Sequence, residues 1–81
     1  MTVELTIDCR AGLDAVHDQL ARELNFPHWY GRNLDALYDC LTELEQPVCF
    51  TVLNPDLEPM LLRVLTDAAG ENPKLHLHIA L

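Results

Sequence analysis

Basic residues are scarce in this chain. Five Lys and Arg stand against thirteen Asp and Glu, for a formal charge of −8 at neutral pH. Nucleic acids and anionic membranes draw much of their binding energy from protein cations, so direct binding to DNA, RNA or an acidic bilayer is not expected. A basic protein or a metal cation suits the charge better as a partner. Long apolar runs are also missing, and a membrane span needs about twenty such residues. Met1-Thr2-Val3-Glu4-Leu5 is not a basic stretch followed by an apolar one, so no secretory leader is read there and the expected location is the cytoplasm. The three cysteines, Cys9, Cys40 and Cys49, are odd in number and far apart. That fits reduced thiols better than a disulfide framework, and no close Cys/His spacing suggests a zinc site. A Gly-rich phosphate loop, a Ser-His-Asp arrangement and a dinucleotide fingerprint are absent, as are repeats, linkers and low-complexity segments. Neither a cofactor nor an enzymatic activity is expected.

A hydrophobic share of 49% over 81 residues is enough for one core, and the whole of 1–81 is expected to be a single domain. Val3, Leu5 and Ile7 alternate with Thr2, Glu4 and Thr6, predicting a first strand over Thr2 to Ile7. Asp8 to Gly12 connects it to a helix marked by Leu13, Val16, Leu20 and Leu24. The other face of that helix, with Asp14, Asp18, Gln19, Arg22 and Glu23, reads as solvated surface, and Asn25-Phe26-Pro27 stops it. After a second helix comes Val48-Cys49-Phe50-Thr51-Val52-Leu53, an apolar run expected to be a strand buried on both faces. Asn54-Pro55-Asp56 reads as a turn or a capped helix start. Leu57, Leu61, Val64, Leu65 and Ala68 mark a third helix that begins near Pro59 and is expected to end at Gly70. Leu75, Leu77, Ile79 and Leu81 alternate with His76, His78 and Ala80 in a last strand. The order strand-helix-helix-strand-helix-strand predicts an α/β fold, a three-stranded parallel sheet joined by right-handed crossovers with helices mainly on one side.

The second helix and its approach hold the most information. His28-Trp29-Tyr30-Gly31 follows Pro27 as a turn, with Gly31 expected to supply an unusual backbone angle. Asn33 is a candidate N-cap. Leu34, Leu37, Leu41 and Leu44 share one helix face, in a helix expected to end near Glu45. Asp35, Asp39 and Glu43 fall four apart on the opposite side, where like charges repel by about 0.2–0.5 kcal/mol per pair. Arg32, at the start of the run, is the nearest cation. A carboxylate row beside Trp29-Tyr30 suits a basic partner.

The run Trp29 to Leu41 resembles the signature segment of the barstar family, intracellular protein inhibitors of ribonucleases. The order of elements and the spacing within the first helix match that family too. The resemblance implies that the second helix and its preceding loop plug a ribonuclease active site, with carboxylates in place of RNA phosphates. It makes Asp39 the main phosphate mimic and Asp35 its partner one turn earlier. Trp29 would pack on the enzyme, Gly31, Asn33 and Leu34 would fill the loop contact, and Thr42 would lie at the edge. Asp67 stands about where the family has a glutamate facing the enzyme, and Glu71 matches a second, weaker acid. Arg32 replaces an acid of the family, which is expected to relieve the carboxylate row. Tyr38 and Leu44 replace tryptophans, and the segment before the last helix is shorter. The implied protein is a bacterial immunity protein or antitoxin, monomeric when free, acting on a basic extracellular-type ribonuclease or a related toxin.

Each of these residues also has a plainer reading. By spacing alone, Asp35 and Asp39 form a solvated helix face, and it is the surrounding signature that favours binding. As paired catalytic carboxylates or metal ligands they would need a cleft, which a convex helix face does not offer. Tyr30 is expected to be structural and Trp29 to be the interface aromatic. Tyr38 lies between the apolar and acidic faces and fits either role, while Cys40 reads as a small buried filler. His76 and His78 share a strand face and, with Cys49 or a carboxylate, could bind zinc or nickel; two exposed histidines on a terminal strand are the simpler reading. No chemistry is assigned to His17, and His28 offers at most a pH-dependent contact in the binding loop. The competing function is an acidic interaction module, or an immunity protein against another basic toxin or regulator, with no ribonuclease target.

Overall fold

Alternation decides the sheet. In the computed structural model, which describes residues 1–80, β1 spans Val3–Asp8, β2 Val48–Leu53 and β3 Leu75–Ala80. The strands are parallel in the order β1-β2-β3, with Val3 opposite Val48 and Val48 opposite Leu75. Leu5, Ile7, Val48, Phe50, Val52 and Leu75 point to one face and are buried. On the other face Glu4, Thr6, His76 and His78 are exposed, and Cys49 and Thr51 are half-buried. The expectation that β2 is buried on both faces is therefore corrected: its outward positions are half-buried, because the helices cover one face only. The first strand is also displaced by one residue, since Asp8 still pairs with Leu53 while Thr2 lies outside. The expected strand position of Leu81 lies outside the described residues.

Three helices cover the apolar face: α1 over Leu13–Glu23, α2 over Leu34–Thr42 and α3 over Pro59–Glu71. Val16, Leu20, Leu37, Leu41, Leu61, Leu65 and Ala68 carry their stripes into the core. A residue such as Leu, fully buried, contributes about 1.5–3 kcal/mol of transfer free energy. Pro59 opens α3 at its first position, where its missing N–H has no helical partner to lose. Gly70 does not end α3, which continues through Glu71 to an Asn72 cap. α2 stops at Thr42, short of Glu45, although Leu44 still packs on the core.

Two short 3-10 turns, Cys9–Ala11 and Pro55–Leu57, follow the ends of β1 and β2. Asp8 ties them together: it accepts from the Arg10 amide at 3.0 Å, the Arg10 guanidinium at 2.8 Å and Asn54 Nδ2 at 3.1 Å. The Arg10 hydrogen bonds hold its carboxyl well below the usual carboxylate range, at about 2.

Candidate partner-binding site

α2 is positioned from both ends. At its start the Asn33 side chain accepts from the Ala36 amide at 2.8 Å, as an N-cap should. Gly31 packs tightly against this cap, since a Cβ there would lie 3.1 Å from Asn33 Nδ2. The unusual backbone angle falls one residue later than expected, on Arg32, whose φ is 53°. At the far end of α2, buried Asn72 donates to the carbonyls of Leu41 at 3.0 Å and Leu44 at 2.9 Å. Its own Oδ1 accepts from the Lys74 amide at 3.0 Å. One neutral amide thus satisfies the Leu44 carbonyl, adds to the backbone donor on that of Leu41, and joins the end of α2 to the α3–β3 corner.

Held this way, α2 turns Leu37, Leu41 and Cys40 inward and leaves Asp35, Asp39 and Glu43 exposed. Leu34 and Thr42 are half-buried, and Thr42 Oγ1 donates back to the Asp39 carbonyl at 3.0 Å. α2 packs against α3, which adds the exposed carboxylates of Asp67 and Glu71. Tyr38 sits half-buried at this seam. Its phenol is pushed up first by desolvation and then by the charges of Glu71, Asp67 and Asp39. Carboxylates of two helices therefore act on one phenol. The i,i+4 neighbour of Asp67, Arg63, approaches it at 4.0 Å and is itself well exposed, so little of the acidic field is cancelled.

The aromatic pair divides in burial, with Tyr30 in the core as expected. Trp29 is 68% exposed, whereas Tyr30 is buried. Tyr30 reaches back to α1, where its hydroxyl lies 2.5 Å from Nδ1 of buried His17, and its ring packs on Phe26. Burial pushes the Tyr30 phenol up to about 12 and lowers His17, so both stay neutral at ordinary pH. His17 thus has a structural role that periodicity does not reveal. Arg32 is the other surprise. It does not relieve the Asp35–Asp39 row but turns to α1, pairing with Asp18 and standing 3.8 Å from the Asp14 carboxylate. The outer face of α1 is solvated as expected, and its exposed Asp14 and Asp18 also meet Arg32 of the loop.

A recess between this loop and α2 is lined by Leu24, Phe26, Pro27, Cys40, Glu43 and Leu44. It is mostly apolar, with Glu43 as its lone carboxylate, so Asp35 and Asp39 do not share it. Among the described residues no group of three His, Cys, Asp or Glu is placed to hold a metal ion. No helix there is long and apolar enough to cross a membrane.

A family model described as Barstar (barnase inhibitor) matches residues 1–78. The chain is also similar to a protein of Bacillus subtilis (strain 168) named "Putative ribonuclease inhibitor YrdF", with 60% identity over 30 residues. The matched stretch is 37% of this chain and spans 33% of the relative's length.

Proposed function

The chain belongs to the barstar family, and we propose that it is a stoichiometric inhibitor of a barnase-like ribonuclease, acting inside the cell as a monomer. α2 and the loop before it enter the enzyme's active site, and the carboxylates take the positions of RNA phosphates. The observation that carries this reading is the exposed acidic seam of α2 and α3. Asp39 on α2 and Asp67 and Glu71 on α3 are exposed on two packed helices, and Asp35 stands one helical turn before Asp39. Such a seam fits the cationic groups that a ribonuclease gathers around a phosphate. Trp29 supplies the exposed aromatic anchor in the adjoining loop. Gly31, Asn33 and Leu34 shape that loop, with Thr42 and Glu43 at the far edge of the contact.

The mechanism is occlusion, with no covalent step. Opposite net charges steer the encounter, so the association rate should fall as salt rises. Once docked, each carboxylate loses water and gains charge-assisted hydrogen bonds, which are stronger in a dry interface. Titration against barnase, followed by RNA cleavage, tests the proposal. Inhibition should reach its end point at a one-to-one ratio. Asp39→Ala should weaken it by at least about thirtyfold, since truncating one member of a buried charge pair costs about 2–5 kcal/mol. Inhibition untouched by Asp39→Ala would overturn the phosphate-mimic mechanism. If barnase is not inhibited at all, the target is another basic protein.

A further inference from the structure

Arg32 combines three features that are unusual together. Its backbone is left-handed, a region that favours glycine and costs an arginine free energy. Its guanidinium leaves the nearest acids in sequence, Asp35 and Asp39, and crosses to Asp18 and Asp14. Its Nη2 also donates to the Asp14 carbonyl at 3.4 Å. Both acids lie within one turn of His17, the residue that holds Tyr30. The loop between α1 and α2 is thereby fixed to a single turn of α1 at two points, Tyr30 inside and Arg32 outside. Trp29 lies next to the inner point. Glycine would relieve the backbone at position 32, but it could not make the second attachment.

We propose that Arg32, Asp14 and Asp18 form a clamp that holds the Trp29 loop in the shape it needs for binding. α1, which contributes none of the candidate contact residues, then becomes a positioning element for the interface. Arg32 acts as a positioning residue, and its charge is taken up by α1 and kept off the acidic seam. The inference rests on the inhibitor reading for its consequence, but the clamp itself is measurable without a partner. An exposed ion pair adds little to global stability. A loop opens locally at far lower cost than the whole fold, so a weak clamp can still decide its order.

Trp29 is the single tryptophan, so its fluorescence anisotropy reports loop order directly. The experiment compares wild type with Arg32→Gly, Arg32→Asp and the charge swap Arg32→Asp with Asp18→Arg. Arg32→Gly should add a fast local component to the Trp29 anisotropy decay. Amide exchange at Tyr30, whose N–H bonds the Pro27 carbonyl, should accelerate by about tenfold. The melting temperature should stay level or rise, because backbone strain is relieved. A residue that served stability alone would move loop order and melting temperature together. The charge swap should restore slow Trp29 motion that Arg32→Asp loses. Affinity for the inhibited ribonuclease should fall by about tenfold in Arg32→Gly, as the competent loop population shrinks. Unchanged Trp29 motion in Arg32→Gly, or a swap no better than Arg32→Asp, would overturn the clamp. A loosened loop with full affinity, in a protein that Asp39→Ala still disables, would overturn its positioning role and leave the inhibitor reading intact. Loss of the inhibitor reading would instead appear as failure of the Asp39→Ala test, with the loop measurements unaffected.

Discussion

The exit of α2 and the loop that approaches it are gripped by different chemistry. At the exit, Asn72 uses a buried neutral amide on two backbone carbonyls. On the approach, a buried His17–Tyr30 bond and an exposed Arg32–Asp18 pair hold the loop to α1. A neutral amide responds to neither pH nor salt. A histidine and an ion pair respond to both. Asn33 caps the start of the helix with equally neutral chemistry, so the adjustable part is the hold of the Trp29 loop on α1.

The largest effect should come from breaking the hold at the exit. Asn72→Ala takes the side-chain donor from the half-buried carbonyl of Leu44 and one of the donors from that of Leu41, which keeps the Leu44 amide, and should cost about 1–3 kcal/mol in urea unfolding. That loss should be the same at pH 5 and pH 8, because no titrating group is removed.

A smaller, pH-dependent effect should mark the approach. Desolvation first, and then the charge of Arg32, lowers the pKa of His17 below 6.5, while Asp14 opposes them. As pH falls below 6.5 the unfolded chain binds a proton that the folded chain resists, so stability declines. The slope is at most about 1.4 kcal/mol per pH unit, and it ends below the folded value. Equilibrium unfolding of wild type and His17→Gln between pH 7.5 and 5 measures it, and the slope should be shallower in the variant. A slope shared equally by both proteins would trace the adjustable hold to another group.

The smallest effect belongs to the exposed pair. Asp18→Asn should lower stability by less than about 1 kcal/mol, and the difference from wild type should shrink in high salt. An equal loss at every salt concentration would make this contact one of packing and erase the contrast between exit and approach.

The same contrast explains what was legible in the sequence. Strand alternation and the Leu34-Leu37-Leu41 stripe are local patterns, so the elements, their order and the exposure of Asp35 and Asp39 could be read directly. In β2 the outward positions Cys49 and Leu53 are themselves apolar, which hid the alternation. Gly70 looked like a stop, but a glycine can sit within a helix at modest cost, and the signal that ends α3 is Asn72. The polar contacts at both ends of α2 join residues distant in sequence, and no periodicity records them. Nor does local spacing bring Asp67 and Glu71 to Tyr38; only the family resemblance pointed to α3. Arg32 was misread for the same reason, because its nearest acids in the chain are not its nearest acids in space.

The parallel sheet also sets the order in which the molecule can assemble. Val3 pairs with Val48, and Val48 with Leu75, so no two paired strands are joined by a tight hairpin. A chain leaving the ribosome holds β1, α1 and α2 before β2 exists to receive them, and β2 lacks its second neighbour until α3 and β3 have followed. Contacts between distant residues slow folding. Closing the sheet is therefore the slow step, and the proposed inhibitor role would be served better by a reserve of finished molecules than by rapid new synthesis.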